Sequence, residues 1–184
     1  MAMIVERREA QLRQELPELY DTGGPLWGAT SMLYIGANAE MATGLRDWHE
    51  AGWVITVVEV WPPFLRQLHE GPLAGLVDAV VEGDVRYLER LPLEKQYDVT
   101  IWYHGPEHIE YNDFQPCVRK LEAMTSRLVV LGAPWGDTLG TGLHEYASHV
   151  SMYTEADFWS IGYQTATQGE LDAPDGNLMG WKWL

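Results

Sequence analysis

The stretch from Ser31 to Glu59 limits what this chain can fold into more than any other part of it. Ser31-Met-Leu-Tyr-Ile-Gly36 is a short apolar run that stops at a glycine. After a turn at Ala37-Asn-Ala-Glu40, apolar residues recur at helical spacing from about Met41 through Leu45 to Trp48, and Gly52 supplies a stop. Trp53 to Val58 is almost wholly apolar and β-branched, as a strand covered on both faces must be, and Glu59 ends it. An acid at the tip of the second strand of such a unit sits beside the crevice where ribose hydroxyls are held, which argues for an adenosine-containing ligand. An ordinary solvated strand end is the alternative. The preceding turn, the buried-strand pattern and Asp84 at the next strand end weigh against it. A strand tip facing a crevice is not core, so replacing Glu59 is expected to leave stability almost unchanged.

The rest of the chain repeats the alternation. Leu12, Leu16, Leu19 and Tyr20 share a face of a helix predicted from about Val5 to Tyr20, which Pro17 kinks or ends early. That helix packs on the domain or lies over a ligand. Residues 1–28 are this helix and a connection; residues 29–184 form the main domain. Pro62 and Pro63 open a helix carrying Phe64, Leu65 and Leu68, which Gly71-Pro72 interrupts, and a second short helical segment to Leu76 is possible. Val77 to Val81 reads as a third strand, Glu82-Gly-Asp84 as its turn, and Tyr87, Leu88 and Leu91 as a short helix. Tyr97 to Tyr103 is the fourth strand. Asn112 and Gln115 suggest a capping box for a helix burying Phe114, Cys117, Val118 and Leu121. Arg127 to Leu131 is the fifth strand, and 132–142 reads as a long surface loop. Thr154 to Phe158 marks a helical turn. Ser160 to Ala166 and Asn177 to Leu184 are too close in sequence for a helical crossover, so they pair antiparallel.

With 46% apolar residues and nine Trp, 184 residues suffice for one domain with a sizeable core. The net charge of −15 argues against nucleic acid as a partner, because that binding depends on Lys and Arg displacing counterions. The lone Cys117 forms no intrachain disulfide and suits a reducing cytoplasm. Neither a secretion signal nor a membrane span is expected from the apolar runs.

Five strands alternating with helices and closed by an antiparallel pair resemble the class I S-adenosylmethionine-dependent methyltransferases, over roughly Met32 to Thr165. Leu33-Tyr-Ile-Gly-Ala-Asn-Ala-Glu40 lies where that family has its glycine-rich first motif, Glu59 where it has the ribose-binding acid, and Gly83-Asp84 where it has an adenine contact. Asp98 to His108 is similar to the segment around the end of its fourth strand, and His149 to Gly162 to the approach to its sixth. The resemblance implies an α/β fold: a single Rossmann-like domain with a mostly parallel seven-stranded sheet, a C-terminal antiparallel pair and helices on both faces. It implies S-adenosylmethionine as cofactor, held by Tyr34, Gly36, Asn38, Glu40, Glu59, Trp61, Asp84, Val85 and Tyr103, and a small-molecule O- or N-nucleophile as methyl acceptor. Tyr34 stands where the family usually has an acid, and Asn38 and Glu40 replace two glycines. Asn tolerates a positive φ, and a carboxylate near a helix N-terminus is electrostatically comfortable. A binding module without turnover is the rival reading.

A nicotinamide-binding domain would share this geometry, but Gly36-Ala-Asn-Ala-Glu-Met41 matches G-x-G-x-x-G poorly. Two His/Glu clusters, His104-Glu107-His108 and His144-Glu145-His149, raise the question of a metal. The second is one residue longer than H-E-x-x-H and glycine-flanked, so no metal is expected. His104 and His108 lie beyond the fourth strand, above the transferable methyl in the family's arrangement. One of them is a candidate base, since imidazole titrates near neutral pH; orienting the loop is the equal alternative for His108. Trp61, Trp102 and Trp135 sit near strand ends, where they stack on a ligand or simply pack. Trp61, directly after the acid, is the best adenine candidate.

Overall fold

The computed structural model describes residues 11–19, 26, 28–37, 42–71, 73–136, 138–142, 145–173 and 176–184, apart from the side chains of residues 18, 42, 43 and 145. Strand β1 (Ser31–Ile35) leads through helix α1 (Ala42–Glu50) to β2 (Val54–Glu59), then α2 (Pro62–Glu70) and β3 (Ala79–Glu82). A 3-10 segment (Val85–Arg90) precedes β4 (Tyr97–Tyr103), and a 3-10 turn (Pro106–His108) precedes α3 (Tyr111–Ala123) and β5 (Thr125–Pro134). Helix α4 (Glu155–Trp159), β6 (Gln164–Gln168) and β7 (Asn177–Trp183) complete the chain. The seven strands form one sheet in the order β3-β2-β1-β4-β5-β7-β6. The first five are parallel, and β7 runs antiparallel to both β5 and β6. The fold is therefore the Rossmann-like one the sequence predicts.

Period-two alternation sends successive side chains to opposite faces, as in every strand. Met32, Tyr34, Val99, Ile101 and Tyr103 point to one face, where Leu12, Leu16, Leu45, Trp48 and Leu68 cover them. Leu33, Ile35, Trp102, Val129 and Leu131 point to the other, under Phe114, Val118, Leu121 and Phe158. Both faces are covered, which is why the parallel strands read as unbroken apolar runs. The N-terminal segment belongs to this body: Leu12, Leu16 and Leu19 are buried, and helix geometry stops before the 3-10 turn Pro17–Leu19.

The N-terminal edge of the sheet is stapled by acids. Asp98 Oδ2 accepts hydrogen bonds from Thr30 N (2.9 Å), Ser31 N (3.0 Å) and Ser31 Oγ (2.9 Å), joining β1 to β4. Asp78 accepts one from Ile55 N (2.8 Å), joining the start of β2 to the approach to β3. These staples keep the strands in register, so that their C-terminal tips end together at the opposite edge.

Several local expectations need correction. Helix α3 starts at Tyr111, after Glu110, and has no side-chain cap; Asn112 is already inside it and forms no capping box. Strand β5 runs on to Pro134 because β7 pairs with it through Asn177, so the loop begins three residues later than 132. Residues 73–75 form turns rather than a helix. Strand β6 begins at Gln164, after a turn in which Gly162 takes φ +86°. Thr154 and Asp157 do cap α4: Thr154 N and Oγ1 donate to Asp157 Oδ2 at 2.7 and 2.8 Å.

Candidate active site

A cavity of about 170 Å³ opens at the C-terminal tips of β1, β2 and β4. That is where a doubly wound sheet leaves a crevice, because the chain leaves β1 and β4 toward opposite sides. Gly36, Glu59, Trp61, Asp84, Val85, His104 and His108, all foreseen from sequence, line it. Gly36 follows β1 with φ +79°, a left-handed conformation that favours glycine, and a Cβ placed there would meet nothing within 4 Å. Its N–H donates to Val58 O at 2.9 Å, which holds the tip of β1 against that of β2.

Glu59 is only 5% exposed. Its Oε1 accepts the backbone N–H groups of Val60 and Trp61, both at 2.7 Å, while Oε2 takes no hydrogen bond from the described residues. Burial pushes the carboxyl above its ordinary value; the two N–H bonds and the nearby His108 pull less strongly the other way. One oxygen thus shapes the chain. The premise that this strand tip is not core does not hold, because Glu59 is buried and satisfies two backbone donors.

Trp61 is half-buried and meets Phe64 edge-on, with ring centroids 4.5 Å apart. Asp84 also faces the cavity, but Arg86 occupies it: Arg86 N donates to Oδ1 at 2.8 Å, and Arg86 Nη2 to Oδ2 at 2.6 Å. Burial raises the Asp84 carboxyl, and these bonds together with the guanidinium charge overrule it and hold it low. Trp102, Ile109 and Tyr146 close other walls. Trp135 instead donates its indole N–H to Glu155 Oε2 at 2.9 Å, between the β5 end and α4.

The two histidines differ. His104 takes φ +53°, and its ring lies between two acceptors, Asn177 Oδ1 at 2.7 Å from Nε2 and Glu107 Oε1 at 3.2 Å from Nδ1. Acceptors at both nitrogens suit the imidazolium, which has no lone pair to accept a proton. His108 Nδ1 donates to the Ser148 carbonyl at 3.1 Å, so in the neutral ring the Nε2 lone pair is presented, 3.6 Å from Glu107 Oε1. Glu107 is 1% exposed, and its Oε2 has no hydrogen-bond partner among the described residues. Burial alone would raise its carboxyl; the His104 hydrogen bond and the charges of both imidazoles lower it to about 2.

Two foreseen residues are not brought to the cavity. Tyr34 is fully buried on the opposite sheet face, its ring 6.3 Å from that of Trp48. Tyr103 points the same way, two residues of alternation from Ile101, and donates its hydroxyl to Gln11 Oε1 at 3.0 Å while accepting Asn177 Nδ2 at 2.5 Å. Asn38, Glu40 and His144 lie outside the described residues. Phe64, Arg86 and Tyr146 were not singled out from sequence. Phe64 follows Trp61 by three positions, a helical neighbour spacing that was readable; Tyr146 is far along the chain and carries no local signal.

No family model matches the sequence, and neither does any curated protein. Solved structures do match in fold. The N-methyltransferase NodS from Bradyrhizobium japonicum WM9 is similar with TM-score 0.67 at 14% identity, covering 95% of each chain. The magnesium protoporphyrin IX methyltransferase ChlM from Synechocystis PCC 6803, solved with S-adenosylhomocysteine bound, is similar with TM-score 0.64 at 13% identity, over 99% of this chain and 82% of that one. The methyltransferase domain of a bacterial Hen1 is similar with TM-score 0.58 at 18% identity, over 97% of each. At such identities the likeness is one of architecture, and the chain has the class I methyltransferase fold.

Proposed function

We propose that this chain is an S-adenosylmethionine-dependent methyltransferase acting on an oxygen or nitrogen nucleophile of a small molecule. The observation that carries the reading is the open Oε2 of Glu59, a buried acceptor beside the left-handed Gly36 at the neighbouring strand tip. It supports a ribose diol there, and the solved neighbours NodS and ChlM, both also crystallised with S-adenosylhomocysteine, support the same ligand. When bound, the cofactor supplies a sulfonium methyl group whose C–S electron pair stays with sulfur.

Gly36 lets backbone approach the ligand, Glu59 receives its hydroxyls, and Trp61 with Val85 gives a flat apolar wall suited to adenine. Asn38 and Glu40, which follow Gly36 in sequence, belong to the methionine end of this reading. Asp84 contributes through the backbone it caps rather than through a free carboxylate, since Arg86 engages both its oxygens. His104 is a positioning residue that holds Glu107. His108 presents the lone pair at the acceptor end. Methyl transfer needs in-line placement and exclusion of water more than covalent help from the protein. The second reading, a cofactor-binding module without turnover, rests on the departures of Tyr34, Asn38 and Glu40 from the family's first motif.

An assay for S-adenosylhomocysteine released from S-adenosylmethionine across a panel of hydroxyl- and amine-bearing acceptors tests the choice. Turnover is expected with at least one acceptor, and His108→Ala is expected to slow it by about 10²–10⁴-fold with cofactor affinity nearly unchanged. Cofactor binding with no product from any acceptor selects the binding module. Equal losses of affinity and rate in His108→Ala mark His108 as a structural residue of its loop.

A further inference from the structure

We infer that Glu107, His108 and His149 form a binding site for one divalent first-row transition-metal ion. The sequence grouped His149 with His144 and Glu145; the fold brings His149 to Glu107 and His108 of the first cluster. The three side chains each offer a ligand atom, and those atoms lie within 4.8 Å of one another. His108 and His149 rings meet edge-on at 5.1 Å.

The hydrogen bonding around the trio is that of a prepared site. His108 Nδ1 lies 3.1 Å from the Ser148 carbonyl, and His149 Nδ1 lies 3.0 Å from the Thr138 carbonyl. A carbonyl only accepts, so each ring carries its hydrogen on Nδ1 and, when neutral, its lone pair on Nε2. Outer hydrogen bonds of this kind fix the tautomer of metal-binding histidines. Glu107 is almost fully buried, and its Oε2 has no partner among the described residues, a costly arrangement for a carboxylate that nothing coordinates. His104 steadies the other oxygen at 3.2 Å. The two segments are tied by backbone bonds from Val150 N and Ser151 N to Glu107 O, at 2.8 and 3.2 Å, so the ligands are placed before any ion arrives.

Two imidazoles and one carboxylate favour Mn²⁺ to Zn²⁺ over Mg²⁺ or Ca²⁺, which prefer all-oxygen shells. Three protein ligands leave positions open. His108 also lines the cavity, so those positions face the acceptor end. With the ion bound, the His108 lone pair is taken as a ligand and no longer acts as base; an acceptor hydroxyl on the ion would instead lose its proton to solvent more readily. That use rests on the methyl-transfer reading, whereas the binding site stands on the side chains alone.

The test is titration of the chelator-treated full chain with Mn²⁺, followed by the paramagnetic signal of the free ion. One ion per chain is expected at a dissociation constant of about 10 µM or tighter, displaced by Zn²⁺ but not by a roughly tenfold excess of Mg²⁺. His149→Asn keeps a donor for Thr138 and removes the ligand nitrogen, so it is expected to weaken Mn²⁺ by at least about 100-fold, with S-adenosylhomocysteine affinity unchanged. If that variant does not fold, Mn²⁺-induced broadening of the His108 and His149 ring signals in the parent locates the ion instead. Absence of Mn²⁺ and Zn²⁺ binding by the folded parent overturns the inference. So does undiminished binding in folded His149→Asn, or broadening elsewhere. Loss of S-adenosylhomocysteine binding with metal binding intact would count against the methyl-transfer reading only.

Discussion

At the residue scale, Glu59 shows how one side chain serves structure and ligand at once. Its type and place were legible because an acid closing an almost wholly apolar strand stands out, but its hold on Val60 and Trp61 was not, because the fold of a carboxylate onto its own backbone leaves no pattern. Glu59→Ala leaves those two part-buried donors unmet and is expected to cost about 1–3 kcal/mol. Glu59→Gln keeps an acceptor for them. The folded carboxyl lies above the ordinary 4.5, so the folded chain holds a proton that the unfolded chain releases. Stability therefore falls as pH rises through the window above 4.5, and Gln does not share that fall. At neutral pH Glu59→Gln is expected to melt at or above the parent and Glu59→Ala below it, by thermal unfolding. Ala melting with the parent would show that the two hydrogen bonds carry no weight. Tyr34 and Tyr103 teach the complementary lesson. Both lie in or next to motif-like segments, yet strand alternation turns their rings to the face away from the crevice, and motif position without side-chain parity misplaces them.

At the element scale, strands and helices were legible wherever burial on two faces or an apolar stripe repeats over a full element. β4 was read to its ends, and α3 was read from its buried stripe of Phe114, Cys117, Val118 and Leu121. The ends depend on partners far away in sequence: β5 continues through Ala133 and Pro134 because Leu178 and Asn177 lie opposite. The Asp98 staple is a second long-range feature of this kind. Burial raises its carboxyl, but the Thr30 and Ser31 hydrogen bonds, helped by Arg127, bring it below the ordinary 3.8. A depressed carboxyl stabilises the fold at pH above 3.8, and that contribution is lost as pH falls through the folded value. Asp98→Asn is expected to cost about 1–3 kcal/mol at neutral pH in urea unfolding, with the deficit shrinking as pH falls below 3.8. An equal deficit at both pH values would mean that packing, not the charge, is at work.

At the scale of the whole molecule, the order β3-β2-β1-β4-β5-β7-β6 places Gly36, Glu59, Asp84 and the His104 to His108 segment at one edge, although they are spread over residues 36–108 of the sequence. The parallel alternation made that convergence legible. The approach of His149 and Tyr146 was not, because it depends on bridges made by an irregular segment, such as Gly140 to His149. Titration calorimetry of S-adenosylhomocysteine into the parent, Glu59→Gln and Glu59→Ala tests the central claim most directly. The account predicts one molecule bound per parent chain, at least about tenfold weaker binding in Ala and an intermediate value in Gln, since charge-assisted bonds to the hydroxyls are lost in two steps. No heat from folded parent at about 1 mM ligand, or parent-like affinity in folded Glu59→Ala, would contradict it.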